Sequence, residues 1–222
     1  MLATSLLGLA AVSGVSGTRE RQVDDLDASL ATVAVGHEAA IDEYFERARS
    51  IDLLLARNPA FTDFLRAPGD RLAKLQAGGP GVEELSDALG FLEQLYPHRI
   101  GEACFIDATG AEMARVVRGE VAPIDDLSEE EEDAPFFAPA MALAPGEVYQ
   151  SLPYPSPDTG EWVISNSTPL ALDGRTPDAI VHFEVTLASF AEAAELPVGY
   201  ALQIVDRGTG LVVADSTAPG DR

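Results

Sequence analysis

A histidine and a glutamate on a predicted strand carry the clearest binding chemistry in this sequence. His182 and Glu184 are two residues apart in an apolar run, and residues at this spacing lie on one face of a β-strand. Such a pair can bind a metal ion or an organic ligand. A metal ion needs further ligands, and His37 and His98 lie on or near predicted helices far away in the sequence. We therefore favour a hydrogen-bonded pair and predict no metal site.

An arginine and two large aromatic residues on neighbouring predicted strands could extend the same site. Arg115 could hold a carboxylate by two-point hydrogen bonding. Alternatively, it forms a structural ion pair with Glu112 or with an acid of residues 125–133. Tyr149 and Trp162 either line a pocket or pack in the core, since both side chains are large and amphipathic.

The strand predicted over residues 162–168 presents polar groups on both faces. Ser165 and Ser167 share one face and Asn166 lies on the other. Alternation alone does not decide which face meets the pocket, so Asn166 remains a candidate beside the serines. The candidate ligand-binding residues are Arg115, Phe137, Tyr149, Trp162, Ser165, Asn166, His182 and Glu184.

An acidic segment precedes two adjacent phenylalanines. Residues 125–133 contain seven acids in nine positions, but they lack the Asp-x-Asp-x-Asp-Gly pattern of a calcium-binding loop. We therefore interpret this segment as a solvated loop. Phe136 and Phe137 follow it, and two adjacent phenylalanines suggest that at least one packs inward as a lid over the pocket.

The composition excludes several classes of function. The net charge is −23, from 37 acids and 14 bases, and such a surface repels nucleic acid phosphates. The single cysteine, Cys104, lies in an apolar run and is predicted to be a buried core residue, so no disulfide within the chain is expected. The sequence contains no nucleophile elbow, no zinc-protease motif, no phosphate-binding glycine loop and no dinucleotide fingerprint. We predict that the chain is not an enzyme and has no catalytic residue and no cofactor.

The N-terminal part of the chain has the pattern of an anchored helix. Residues 1–17 carry no charged side chain, and we interpret them as part of a transmembrane or signal-anchor segment. A cleaved signal peptide and a buried soluble helix are the alternatives. Residues 18–58 follow as one long amphipathic stalk helix, which should end near Asn58 because Pro59 disfavours the helical conformation there.

The rest of the chain predicts an α+β fold with a central antiparallel sheet. Short helices are expected first, then a meander of strands, a further helix over 187–195 and a boundary at 197–199. A final hairpin repeats the arrangement of the first, so we interpret it as the start of a second module. The predicted helices cover 60–67 and 83–96, and the predicted strands cover 103–107, 112–117, 148–152, 162–168, 179–185, 200–206 and 211–215.

Five short segments in this order resemble the double-Cache sensors, a PAS-like family of extracytoplasmic domains in bacterial and archaeal signalling receptors. They read Phe-Ile-Asp-Ala-Thr-Gly-Ala-Glu-Met-Ala-Arg-Val over 105–116, Gly-Glu-Val-Tyr over 146–149, Thr-Gly-Glu-Trp-Val-Ile-Ser over 159–165, Thr-Pro at 168–169 and Phe-Glu-Val at 183–185. The Arg-x-Trp-Tyr run typical of amino-acid-sensing members is absent, so amino acids are not assumed as ligands.

The resemblance implies a receptor whose ligand sits between the central sheet and the loops that cover it. Residues 59–195 would be the membrane-distal sensor module, and 196–222 the start of a membrane-proximal one. The chain from about residue 18 onward would then lie outside the cell membrane. It would bind a small molecule, signal through the stalk helix and dimerise through that helix. A secreted or anchored solute-binding or adhesion module without signalling output is the main alternative, and a hydrolase acting on extracellular material is a second one.

Overall fold

The computed structural model describes residues 3–96, 98–189, 201, 203–205, 208, 210 and 212–215, with side chains from residue 19 onward except at 213 and 214. The chain divides into two units, residues 1–44 and 45–222. The first unit consists of helix α1, which spans Ala3–Leu55 and continues into the second unit. No helix in the described part of the chain combines the length and the apolar character needed to cross a membrane.

The remaining helices are short, and local capping explains where they begin. They are α2 (Pro59–Arg66), α3 (Arg71–Ala77), α4 (Pro80–Leu95) and α5 (Phe137–Met141). Asn58 caps α2, because its side-chain oxygen accepts a hydrogen bond from the amide of Ala60 at 3.0 Å. This cap and Pro59 at the first helical position confirm the predicted end of the long helix. Asp70 caps α3 in the same way.

The second unit is built on an antiparallel sheet with the spatial order β3-β2-β1-β7-β6-β4, and β5 pairs with β6. All pairings are antiparallel, as predicted. The strands are β1 (Ile100–Asp107), β2 (Glu112–Val117), β3 (Glu120–Val121), β4 (Tyr149–Gln150), β5 (Tyr154–Pro155), β6 (Trp162–Leu170) and β7 (Ala179–Thr186).

One face of this sheet packs against helices through apolar side chains. Phe105 of β1 contacts Phe61 of α2, with ring centroids 4.8 Å apart, and it meets Phe64 edge-on. Phe183 lies on β7, the strand that pairs with β1, and is fully buried. Burying each such phenylalanine contributes about 1.5–3 kcal/mol. The face that packs against α2 therefore forms a large part of the hydrophobic core of the unit.

A separate two-stranded antiparallel pair lies near the end of the chain. It consists of β8 (Gln203–Val205) and β9 (Val212–Asp215), which confirms that this segment forms a hairpin. Its assignment to a second module remains a prediction. Residues 187–189 are helical, while the rest of the helix predicted over 187–195 and the boundary predicted at 197–199 lie outside the described residues.

Candidate functional site

The second face of the sheet is buried but carries polar and charged side chains. Strand pairing places Cys104 opposite His182, His182 opposite Ser167, and Glu184 opposite Ser165. These side chains therefore point to the same side of the sheet. None of these residues is more than 1% exposed. We call this surface the polar face, and it also includes the buried Glu102 two residues before Cys104.

His182 has one hydrogen-bond partner and one unpaired nitrogen. Its Nδ1 lies 2.8 Å from the Ser167 hydroxyl oxygen, and Phe136 stacks on the imidazole with ring centroids 3.7 Å apart. Its Nε2 has no hydrogen-bond partner among the described residues. The Nε2 atom lies 3.9 Å from Glu184 Oε1, so the predicted hydrogen bond between them is not formed. Burial lowers the pKa of His182 to about 3, and the imidazole is neutral at pH 7.

Glu184 also has one paired and one unpaired side-chain atom. The Tyr154 hydroxyl donates a hydrogen bond to Oε1 at 2.7 Å, whereas Oε2 has no hydrogen-bond partner in the described part of the chain. Burial raises the pKa of this carboxyl to about 7, although the hydrogen bond from Tyr154 opposes the shift. Each unpaired buried polar atom costs about 1–3 kcal/mol, so a hydrogen-bonding partner for either atom would stabilise the protein.

Three further groups on the polar face lie close together. The Cys104 Sγ atom is 2.6 Å from Glu102 Oε1 and 3.2 Å from Glu112 Oε1. All three donor atoms lie within 4.8 Å of one another. Burial raises the pKa of each of these three groups, and the negative charge of Glu184 raises the pKa of Glu102 further. Such a cluster can share protons or hold a cation.

Arg115 lies at the edge of this cluster and is already engaged in ion pairs. Its guanidinium is 3.4 Å from Glu112 Oε2 and 3.0 Å from Asp158 Oδ1, and it also donates to the backbone carbonyl of Asp126. Its side chain is only 11% exposed. The ion pair with Glu112 is one that the sequence suggested, whereas Asp158 comes from the turn before β6. These contacts engage both terminal nitrogens of the guanidinium, while its buried Nε has no hydrogen-bond partner among the described residues.

The balance of charge on the polar face is negative. Among the described residues, the carboxyl groups of Glu102, Glu112, Asp158 and Glu184 share this region with the guanidinium of Arg115. Because the interior weakens solvent screening, this imbalance favours bound protons or a positively charged ligand.

The other candidate residues lie at different distances from this cluster. Phe137 is buried with Cys104 in one apolar cluster, and Tyr149 packs against that cluster while half-buried. Trp162 is 39% exposed and, by strand alternation, belongs to the opposite face. Asn166 also lies on the opposite face, where its side-chain oxygen accepts a hydrogen bond from Gln150 at 2.8 Å. The structure thus places the serines, not Asn166, beside His182 and Glu184.

The acidic segment covers the end of the β1–β2 hairpin. It forms two 3₁₀ turns, over Ile124–Asp126 and Glu131–Asp133, with mostly exposed side chains. Its backbone is nevertheless anchored, since the Ser128 amide donates to Glu112 Oε2 at 2.7 Å. Glu129 also pairs with Arg71 at 2.8 Å. The prediction of a solvated loop therefore holds for most side chains of this segment, whereas its backbone is anchored to the rest of the unit.

Sequence reasoning did not identify five members of the polar face as site residues, namely Glu102, Cys104, Glu112, Tyr154 and Asp158. Glu102 could have been found, because it alternates with Cys104 on a strand whose other members are mainly apolar. Tyr154 lies in the short strand β5 and Asp158 in the turn that follows it, within a proline-rich segment before β6. No periodic signal there indicates that they fold back onto the sheet.

Comparison with known proteins identifies the fold. No protein-family model matches the chain, and no curated protein matches it. Solved structures do match. The sensory domain of the Campylobacter jejuni chemoreceptor Tlp3 with isoleucine bound is 9% identical, with a TM-score of 0.63 over 86% of this chain and 72% of that one. The extracellular domain of vpHK1S-Z8, described as a histidine kinase, is 15% identical, with a TM-score of 0.68 over 86% and 71%.

A third match is the ligand-binding domain of the Pseudomonas aeruginosa PAO1 amino acid chemoreceptor PctC in complex with GABA. It is 16% identical, with a TM-score of 0.58 over 85% of this chain and 75% of that one. The chain has the fold of a Cache-type sensor domain. The predicted α+β architecture of a long helix followed by an antiparallel sheet is confirmed. These three neighbours are described as a sensory domain, an extracellular domain and a ligand-binding domain, respectively.

Proposed function

We propose that this chain is the extracytoplasmic sensing domain of a membrane-anchored signal-transduction protein, and that its small-molecule ligand binds on the polar face. One observation carries the proposal. In a fold shared with ligand-binding sensory domains, the sheet buries His182 Nε2 and Glu184 Oε2 without partners among the described residues. A bound ligand would supply those partners and recover their desolvation cost.

The chemistry of the polar face favours a ligand that carries positive charge or hydrogen-bond donors. Unpaired carboxylate and imidazole atoms accept hydrogen bonds, and the nearby acids outnumber the bases. Arg115 is held by acids of the protein itself, so a simple carboxylate is a poorer match. Ser165, Ser167 and the Tyr154 hydroxyl would orient the ligand by further hydrogen bonds.

A hydrogen-bonded link between the sheet and α1 offers a route for the signal. Gln150 of β4 donates to Asn166 Oδ1 of β6 and also to the backbone carbonyl of Phe45 on α1, at 3.1 Å. Phe45 in addition packs against Ile164. A ligand that binds one conformation of the sheet more tightly than another would shift the populations of the two conformations. This link would carry the shift to the helix.

We also propose the arrangement of the chain in the membrane and in a dimer. Val23, Leu26, Leu30 and Val33 follow the alternating three- and four-residue spacing of a two-stranded coiled coil. The first three of these are 50%, 55% and 44% exposed, so an apolar stripe is available for a second copy. Residues 1–17 would anchor the chain in the membrane, and residues 196–222 would begin a second sensor module.

The proposal is tested by a thermal-shift screen of the full chain. The panel would hold amines, amino acids, carboxylates, purines, sugars and divalent cations. A ligand at a hundred times its dissociation constant adds about 2.7 kcal/mol, which corresponds to about 5–10 °C for a chain of this size.

A matched pair of variants places the binding site. Glu184→Gln removes a buried charge from the polar face, and Glu120→Gln removes an exposed one from strand β3. A shift that is lost in Glu184→Gln and retained in Glu120→Gln supports the proposal. A shift retained in both variants, or no shift from any compound class, contradicts binding on the polar face.

A further inference from the structure

We propose that Glu102, Cys104 and Glu112 bind a divalent cation of the Zn²⁺ type. His182, whose Nε2 has no hydrogen-bond partner among the described residues, lies opposite Cys104 on the neighbouring strand. The inference rests on the proposed function in taking the polar face as the binding surface, and it goes further by naming a chemical class of ligand. It also revises the expectation from the sequence, which treated Cys104 as a core residue and predicted no metal site.

The three donor atoms lie close enough to converge on one ion once the Glu102 carboxylate moves away from the sulfur. Zn²⁺ binds cysteine sulfur at about 2.3 Å and carboxylate oxygen at about 2.0–2.2 Å, so a sulfur and an oxygen on one tetrahedral ion lie about 3.6 Å apart. Cys104 Sγ is 2.6 Å from the nearer Glu102 oxygen and 3.2 Å from that of Glu112, and all three atoms lie within 4.8 Å of one another. Small rotations of the carboxylates would place all three around a single ion.

His182 supplies an observation that is independent of this cluster. It is opposite Cys104 in the pairing of β1 with β7, so the two side chains are neighbours on one face. It is fully buried, and its Nε2 has no hydrogen-bond partner among the described residues. When Nδ1 carries the proton and donates to Ser167, Nε2 presents a free lone pair. A histidine held in this way by its other ring nitrogen is typical of metal ligands.

The second oxygen of Glu112 is held in a comparable way. Its Oε2 accepts a hydrogen bond from the Ser128 amide at 2.7 Å and lies 3.4 Å from the Arg115 guanidinium. Its Oε1 faces Cys104. The protein thus fixes one oxygen from outside the cluster and leaves the other for an ion, as in metal sites whose carboxylates are oriented by outer hydrogen bonds.

The donor types and the balance of charge select the class of ion. A thiolate and an imidazole beside carboxylates suit Zn²⁺ and related borderline ions, whereas Ca²⁺ and Mg²⁺ prefer oxygen ligands alone. With Cys104 as thiolate, the cluster carries three negative charges from Glu102, Cys104 and Glu112. One divalent ion and the adjacent Arg115 guanidinium neutralise all three. An organic ammonium ion cannot form a coordination bond with the thiolate.

The test is a metal titration of the full chain after removal of bound ions with a chelator. Zn²⁺ binding would be measured by competition with a chromophoric chelator. Co²⁺ would then report on the ligands, because a cobalt–thiolate bond absorbs in the near ultraviolet. We expect one equivalent of Zn²⁺ and a cobalt–thiolate absorption. Cys104→Ser should abolish that absorption and weaken Zn²⁺ binding by at least about 10- to 100-fold.

Two further variants keep the test informative. Glu102→Gln should weaken binding while the cobalt–thiolate absorption survives at high Co²⁺. Glu130→Gln, an exposed acid in residues 125–133, should leave binding unchanged. Circular dichroism checks that each variant is folded. No saturable binding of Zn²⁺, or an absorption that survives Cys104→Ser, or loss of binding in Glu130→Gln would overturn the proposal. If an organic compound binds at Glu184 while Zn²⁺ does not bind, this inference fails and the proposed sensing function stands.

Discussion

Replacing Asp52 with leucine should stabilise the protein. Asp52 follows Phe45 and Ala48 and precedes Leu55 at spacings of three and four residues, so these side chains share one face of α1. Ala48, Asp52 and Leu55 are all buried, and Asp52 is 0% exposed. Neither carboxylate oxygen of Asp52 has a hydrogen-bond partner within the described chain, and burial raises its pKa well above the usual range.

The magnitude follows from the cost of an unpaired buried group. Such a group costs about 1–3 kcal/mol, and leucine has a similar shape without polar atoms. Asp52→Leu should therefore add about 1–3 kcal/mol to the free energy of unfolding at pH 7. For a chain of this length each kcal/mol raises the melting temperature by about 2–4 °C.

The gain should also depend on pH. Below the pKa of an unfolded aspartate, near 3.9, the carboxyl is protonated in both the folded and the unfolded state. As the pH rises above that value, the unfolded chain ionises while the folded one retains its proton, and the wild type loses stability. The stabilisation by Asp52→Leu should accordingly be larger at pH 7 than at pH 4.

Urea denaturation of both proteins at pH 7 and pH 4 measures this difference, because effects common to both proteins cancel. Asp63→Leu is the control, since that side chain is 71% exposed and its removal should change little at either pH. Destabilisation by Asp52→Leu, or a gain that is the same at both pH values, would refute the reasoning. It would mean that a partner compensates the buried carboxylate.

Four other substitutions test the packing of the sheet and of the segments around it, each by urea denaturation. Gly110→Ala should cost about 1–3 kcal/mol from backbone strain, because φ is +87°, and more from contact, because the added carbon would lie 2.5 Å from the Glu132 amide nitrogen. Gly146→Ala, which has a φ of +93° and open space around it, should cost less. Gln150→Leu should cost about 1–3 kcal/mol, because it leaves the buried side-chain oxygen of Asn166 on β6 unpaired and removes the hydrogen bond to α1, and an unchanged midpoint would argue against that link. Phe136→Ala should cost about 3–5 kcal/mol, since the ring is 4% exposed and stacks on the buried imidazole, and a cost below 1 kcal/mol would contradict that packing.

The fold was predictable from local signals that the structure obeys. Proline at position 59 after a long amphipathic run predicted the end of α1, and the Asn58 cap is found there. Alternating apolar strands separated by Gly-containing turns predicted the antiparallel sheet, and β2 has the predicted bounds. The strand predicted over 148–152 is shorter, Tyr149–Gln150, because the chain then turns at Pro153 to form β5.

The same reasoning predicted only part of the candidate site. Period-two alternation grouped His182 with Glu184 correctly, since both belong to one strand. Alternation within one strand does not predict contacts between strands, so the cluster of Glu102, Cys104 and Glu112 was not predicted. Such a cluster depends on the register between β1 and β2, including the irregularity at Phe105 and Ile106, which no single-strand pattern encodes.

The buried position of Asp52 was hidden for a different reason. The helical spacing of the apolar residues near the end of α1 predicted that these residues, among them Leu54, form its buried face. In the structure Leu54 is 71% exposed while Asp52 is fully buried. The tertiary packing of α1 therefore overrides the simplest amphipathic assignment.

Isothermal titration calorimetry of the wild type and of Glu184→Gln tests the central claim most directly, with the screened compound that gives the largest thermal shift. We predict saturable binding to the wild type and at least about a tenfold weaker affinity in Glu184→Gln, because a buried charged hydrogen bond contributes more than about 1.4 kcal/mol. Glu120→Gln should bind as the wild type does. Equal affinity in the wild type and Glu184→Gln would contradict the claim that the polar face holds the ligand.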